Sequence, residues 1–86
     1  MYQVIYTAKA VKSLKRIDRT QAQFILNWIE KNLIGCADPR MKGKEIKGGL
    51  ADWRYRVGDY RLLCNISDKA ITIEVINIGH RKDIYK

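Results

Sequence analysis

Eighty-six residues, 47% of them apolar, make one small globule with a thin core and exclude a disordered chain. Seventeen Lys and Arg against nine Asp and Glu leave a net charge of +8, which points to a polyanionic partner, either nucleic acid or an acidic protein. Two distant cysteines and one histidine exclude a disulfide framework and a zinc set, and no apolar run nears the ~20 residues of a membrane span.

Tyr2 to Thr7 alternates and carries Val, Ile and Tyr, which predicts a first strand. The stretch from Met1 to Tyr6 is too short for the apolar core of a signal peptide, so a soluble cytoplasmic protein is expected. Ala8 to Ile17 reads as a helix that buries Ala10, Val11, Leu14 and Ile17. Lys9, Lys12 and Arg16 fall on its opposite face, either as phosphate contacts or as an ordinary solvated face. At Asp18-Arg19-Thr20-Gln21 the chain stops and restarts, with Asp18 or Thr20 as the cap and Gln21 completing a capping-box pattern. A second helix runs from about Thr20 to Leu33, its core stripe Ala22, Ile25, Leu26, Ile29 and Leu33 widened by Phe24 and Trp28. Gly35 suits the position just past its end. So short a connection predicts an antiparallel helical hairpin.

Cys36 to Gly43 is a loop holding Pro39. Lys44 to Lys47 suits a short strand and Gly48-Gly49 a turn, without the spacing of a phosphate-cradling P-loop. Lys42, Lys44 and Lys47 extend the positive surface.

Trp53 to Cys64 then reads as a β-hairpin around Gly58-Asp59, a pair suited to a tight turn that needs positive φ. With those two as the loop, Val57 faces Tyr60, Arg56 faces Arg61 and Arg54 faces Leu63. Arg54, Arg56 and Arg61 therefore share one face, and Trp53, Tyr55, Val57, Tyr60, Leu62 and Cys64 share the other. Two guanidinium groups directly across a ladder repel, where an opposite-charge pair contributes roughly 0.2–1 kcal/mol. Three arginines on one face make sense where something anionic sits there. The plainer reading is the solvated side of an antiparallel sheet.

Asn65 to Ser67 closes the second strand and Asp68-Lys69 makes a turn. Ala70 to Ile78 reads as a strand apolar on both sides, with Ile71, Ile73 and Val75 on one face and Ile76 and Ile78 on the other, which places it inside the sheet. Gly79 ends it, ahead of a short polar and aromatic tail from His80 to Lys86. The expected architecture is α+β: an N-terminal strand, an antiparallel two-helix hairpin, then a mostly antiparallel sheet of three or four further strands, in one domain spanning residues 1–86. The helices cover the Trp53 side, which leaves the arginine face open and concave.

The Lys-Gly pattern, the run Trp53-Arg54-Tyr55-Arg56-Val57-Gly58-Asp59-Tyr60-Arg61 and the tail Ile78-Gly79-His80-Arg81-Lys82-Asp83-Ile84-Tyr85 together resemble the RelE branch of the RelE/ParE toxin superfamily. The resemblance spans nearly the whole chain, and the tail is its more specific part. It implies a RelE-like microbial ribonuclease fold and the toxin of a type II toxin–antitoxin system. Such toxins enter the ribosomal A site on the 30S subunit, beside 16S rRNA, cut mRNA there and arrest translation. A cognate antitoxin with acidic and apolar residues holds them inactive. The family's functional positions carry over to Arg54, Arg56, Arg61, Arg81 and Tyr85. Lys9, Lys12, Arg16, Lys42, Lys44 and Lys47 are the further RNA-binding candidates.

The implied chemistry uses no metal and no other cofactor: a 2′-OH attacks the adjacent phosphate and the 5′-oxygen leaves. It needs a base, positive charge on the phosphorane and an acid. Arginine suits the second task through its fork of donors and suits the first badly, its pKa lying above ~12. Where the family often has Lys at the first hairpin positions, this chain has Arg, so the proton carrier falls among Tyr85, His80 and Glu45. Tyr85 also has the alternatives of stacking on a base or simply covering the sheet. Two other classes fit the scaffold: a ParE-like DNA gyrase inhibitor, which has no need of the tail Arg and Tyr, and a basic nucleic-acid-binding domain without catalysis.

Overall fold

The computed structural model describes residues 1–84. Strand β1 (Gln3–Tyr6) leads into helices α1 (Ala8–Arg16) and α2 (Arg19–Asn32). A single 3-10 turn at Pro39–Met41 precedes strands β2 (Lys44–Glu45), β3 (Trp53–Val57), β4 (Tyr60–Ser67) and β5 (Thr72–His80). The sheet order is β1-β5-β4-β3-β2. Only β1 runs parallel to its neighbour, β5, and the other three pairings are antiparallel. The expected α+β architecture is what forms.

Helix α1 starts where Thr7 caps it. The Thr7 hydroxyl accepts from the Ala10 amide at 3.1 Å and donates to the Ile76 carbonyl at 2.7 Å, so one side chain both caps the helix and ties it to β5. Asp18 caps α2, its carboxylate accepting from the amides of Thr20 and Gln21 at 3.1 and 3.4 Å. Gly35, with φ at +76°, turns the chain after α2.

The helices bury Ala10, Ile25, Ile29 and Leu33 against Tyr55, Val57, Leu62, Cys64, Ile66, Ile73, Val75 and Ile78 of the sheet. Burying one such aliphatic side chain contributes about 1.5–3 kcal/mol. Cys64 is a core hydrophobe, and burial pushes its thiol well above the ordinary range. Two residues expected in the helical stripes lie outside them: Val11 is 38% and Phe24 52% exposed. The Ile25, Ile29, Leu33 line faces the sheet with Trp28 beside it, and the Phe24 ring lies off it, beside Gly58 at the hairpin tip.

The last strand differs from its expected form in two ways. It begins at Thr72, because Asp68 to Ile71 is a turn in which the Ile71 amide donates to the Asp68 carbonyl and Ile71 takes φ of +51°, leaving its side chain exposed. It is also not apolar on both sides. Leu62 pairs with Ile78 and Leu63 with Asn77, yet Cys64 pairs with Val75, so Ile76 is an extra residue that bulges the strand. The bulge reverses the alternation and puts Ile73, Val75 and Ile78 together on the helix side. The strand continues through Gly79 to His80. The expected strand from Lys44 to Lys47 is reduced to Lys44–Glu45.

At the far end from the hairpin tip, the Asp68 carboxylate accepts from the Tyr2 hydroxyl at 2.6 Å and from the Arg40 guanidinium at 2.9 Å. Arg40 and Tyr2 hold Asp68 below its usual pKa. A carboxylate depressed in the folded state contributes stability above its unfolded pKa of ~3.9, and that stability disappears as pH falls through the lower folded value. The difference in urea midpoint between the wild type and Asp68→Asn is therefore expected to be constant from about pH 7 to 5 and to close below about pH 4. Because the cluster is exposed, the difference should also shrink in high salt.

Candidate functional site

The hairpin has the register that alternation around Gly58-Asp59 predicts. Val57 pairs with Tyr60, Arg56 with Arg61, Tyr55 with Leu62 and Arg54 with Leu63. Gly58 takes φ of +59°, and Asp59 does not share the positive sign, which is the φ pattern of a type II′ turn. Tyr55, Val57 and Leu62 are buried beneath the helices, so Arg54, Arg56 and Arg61 stand on the opposite side. Strand β2 adds to them. Lys44 pairs with Arg54 and so shares its face.

These residues line a cavity of about 360 Å³ walled by Lys42, Gly43, Lys44, Arg54, Arg56 and Arg61, with Trp28 and Tyr55 completing it. The cavity reaches round the outer edge of β3, since β2 covers that edge only at Trp53 and Arg54. The Arg61 guanidinium is held toward the hairpin tip, donating to the carbonyls of Tyr60 and Gly58 at 3.1 and 3.4 Å. Among the described residues, no carboxylate forms an ion pair with Arg56, Arg61 or Arg81. Like charges gathered on one face cost stability. An arriving anion reverses the sign of that cost.

The tail is drawn onto the same face. The Arg81 amide donates to the Asp59 carbonyl at 2.8 Å, and the amides of Asp83 and Ile84 donate to the His80 carbonyl, so the chain turns back on itself after β5. Ile84 is buried, and it sits on Gly79, which pairs with Arg61. A Cβ on Gly79 would lie 2.8 Å from Ile84 Cδ1. The glycine leaves room for the tail to lie beside Arg61.

The other sequence candidates are placed less uniformly. His80 pairs with Tyr60 and so faces the apolar side, away from the arginines. Its ring meets the Tyr60 ring edge-on at 5.7 Å, and its Nδ1 accepts from the Lys82 amide at 3.2 Å. Strand alternation sets it apart from the cavity, against the expectation of a proton carrier there. Lys42 and Lys44 line the cavity, whereas Lys47 does not. Lys9, Lys12 and Arg16 are exposed on α1, which packs on β5, and none of them reaches the cavity. Tyr85 lies outside the described residues. Among the described residues no three His, Cys, Asp or Glu side chains gather as a metal-binding group.

Two contributors escape a reading of the sequence. Trp28 sits in the helical stripe like any core residue, yet its ring, 5.8 Å from that of Tyr55, also walls the cavity. Gly43, at φ +85°, lets the chain press against β3, where a Cβ would run into the Arg54 carbonyl and the Trp53 indole. The Trp53 Nε1 donates to the Lys42 carbonyl at 2.8 Å, which fixes this segment and leaves Trp53 a structural part.

Comparison with known proteins agrees with this fold. The model of the ParE toxin of type II toxin–antitoxin systems, parDE, matches residues 4–85. The chain therefore belongs to the ParE/RelE family of type II toxin–antitoxin toxins. It is 29% identical over 86 residues to toxin RelG of Mycobacterium tuberculosis, covering 99% of this chain and 97% of that toxin. Among solved structures it resembles a chain of the RelBE2 toxin–antitoxin complex of the same organism, with a TM-score of 0.82 and 25% identity over 93% of this chain and 98% of that one. Its fold is also like that in the archaeal RelE–RelB complex of Pyrococcus horikoshii, with a TM-score of 0.73 and 24% identity over 95% of this chain and 97% of the other.

The Gly79 contact yields a direct test. Gly79→Ala is expected to keep the sheet, because the clash falls on the flexible end of Ile84, and to lift the tail from the face. Limited trypsin digestion should then cut after Arg81 and Lys82 several-fold faster than in the wild type, at an unchanged far-ultraviolet circular dichroism spectrum. An unaltered cleavage rate would show that Ile84 does not hold the tail.

Proposed function

We propose that this toxin cuts mRNA in the ribosomal A site, and that the hairpin face and the tail are its active surface. The carrying observation is the gathering of Arg54, Arg56 and Arg61 on one side of the sheet, joined by Lys42 and Lys44 in one cavity and flanked by the returning tail. A scissile phosphate is the kind of group such a surface accepts.

In the reaction, the 2′-oxygen attacks the neighbouring phosphorus, the pentacoordinate phosphorane gathers negative charge, and the bond to the 5′-oxygen breaks. Arg56 and Arg61, directly opposed, and Arg81, just past the paired strands, offer planar donor forks to the phosphoryl oxygens. The cost of holding these cations on one face is met in folding, before the substrate arrives, and the Arg61 guanidinium has only to turn from the Tyr60 and Gly58 carbonyls to the phosphate. Tyr85, which follows the anchored Ile84 in sequence, is suited to carry a proton or to stack on a base.

The cognate partner in this proposal is an antitoxin whose acidic and apolar residues neutralise the cationic face; the structural neighbours include toxin–antitoxin complexes. No helix among the described residues is long and apolar enough to cross a membrane. A ribosomal substrate places the protein in the cytoplasm.

Arg61→Ala and Arg81→Ala are each expected to lower cleavage of translated mRNA by about 10²-fold or more, measured by primer extension, with an unchanged fold. Tyr85→Phe should slow cutting if the phenol moves a proton and leave it intact if the ring only stacks. The match to a ParE toxin model keeps the ParE-like alternative, inhibition of DNA gyrase, as the second reading. Inhibition of gyrase supercoiling without mRNA cleavage would replace the present reading with that one. Salt-dependent RNA binding with neither activity would leave a non-catalytic basic domain.

A further inference from the structure

Helix α2 carries an aromatic pair that the core does not use up. Phe24 and Trp28 stand one helical turn apart, so their side chains are neighbours on one side of the helix. Trp28 is partly buried, and more than half of Phe24 is open to solvent. A single exposed phenylalanine is ordinary and needs no ligand to explain it. The surroundings of this one point to a ligand.

Both rings are held in place from below. Trp28 packs on Tyr55, and Phe24 lies against the hairpin tip, where its Cε2 would be 3.6 Å from a Cβ on Gly58. The pair is also continuous with the cationic cavity. Trp28 walls that cavity and, on its other side, a hollow of about 390 Å³ that it shares with Phe24, Asn27 and Lys31. A further hollow joins Phe24 to Arg19, Gln23 and Asn27. A groove thus leaves the arginines round the outer edge of β3 and follows α2 toward its first turn.

The lining is positive and rich in amides. Arg19 and Lys31 contribute the charge, while Glu30, the one carboxylate of α2, lines neither hollow. The Gln23 amide Nε2 donates to Asn27 Oδ1 at 2.9 Å, which leaves the Gln23 amide oxygen and the Asn27 amide nitrogen for a ligand. An acceptor and a donor side by side match the edge of a nucleobase. A partner helix would instead need an unbroken apolar stripe, and here Thr20, Asn27 and Lys31 interrupt it. Aromatic faces in a positive groove are what single-stranded nucleic acid uses, since every base has a face to stack.

We propose that Phe24, with Trp28 beside it, is a stacking platform for an RNA base adjoining the phosphate held in the cationic cavity. The inference rests on the reading of that cavity as an RNA phosphate site. One turn of α2, about 5.4 Å, separates the two aromatic positions, a step that a single nucleotide of an extended strand covers. The arginines hold the backbone, and α2 holds a base next to it. The platform fixes the register of the strand over the cavity without itself touching the reacting atoms.

The test uses a short single-stranded RNA with 2′-deoxyribose at the cleavage position. A 2-aminopurine stands on each side of that position in turn, and its fluorescence falls when it stacks. Wild type, Phe24→Ala, Phe24→Leu, Phe24→Tyr and Arg56→Ala are titrated with it, each checked for an unchanged circular dichroism spectrum. Phe24→Ala and Phe24→Leu are each expected to bind about tenfold more weakly and to lose the quenching, and Phe24→Tyr to keep both. An RNA lacking the base at the quenched position should bind wild type and Phe24→Ala alike. Wild-type affinity in Phe24→Ala or in Phe24→Leu would overturn the proposal. A loss confined to Arg56→Ala would do so while leaving the phosphate reading of the cavity in place, and no loss in either Phe24→Ala or Arg56→Ala would overturn both. Unchanged RNA binding by Phe24→Ala, with weaker capture of the acidic antitoxin, would give the groove to a protein and overturn the proposal.

Discussion

The structure turns on the direct opposition of Arg56 and Arg61 across a two-residue bend. A shift of one residue in that register would send one guanidinium under the helices and bring an apolar side chain out. Two features prevent the slip. Gly58 supplies the left-handed conformation that the bend needs. Tyr55, Val57 and Leu62 on the reverse side are fully packed and cannot change sides without losing the core. The hydrophobic effect thus holds the cations together. Burial of three large side chains, each contributing about 1.5–3 kcal/mol, outweighs like-charge repulsion on a solvated face.

The same logic explains how the surrounding elements serve the site. Trp28 packs on Tyr55 from the helix side, so α2 stiffens the strand that bears Arg54 and Arg56. Gly43 brings β2 into pairing distance and carries Lys44 to the rim. Gly79 gives the returning tail its seat. Both glycines act through absent volume: each marks a place where backbone or side chain must approach closely, and each lies beside a residue of the cationic face.

Much of this was legible in the residues alone. The hairpin register, the buried side of the hairpin and the Asp18 cap all follow from period, turn chemistry and capping, which are local rules, whereas the interior position of the last strand came out right although the two-sided apolar pattern read for it does not form. What escaped is non-local. The bulge at Ile76 answers to the partner strand, and no pattern within Thr72 to His80 announces it, although it decides where Ile78 points. The exposure of Phe24 depends on where the hairpin tip lands. Of the site, the three hairpin arginines could be placed from the chain. The exclusion of His80 required the strand to continue one residue past Gly79, and the separation of α1's lysines from the cavity required the packing of whole elements.

The central claim is that one sheet face, and no other basic surface of the molecule, receives the phosphate. It is tested most directly by NMR observation of arginine Nε and lysine Nζ resonances while a short RNA, with 2′-deoxyribose at the cleavage position, is titrated in. The account predicts that Arg54, Arg56, Arg61 and Lys44 shift together with one saturation curve while Lys9, Lys12 and Arg16 stay still. Shifts concentrated on α1, with the hairpin arginines unmoved, would contradict it.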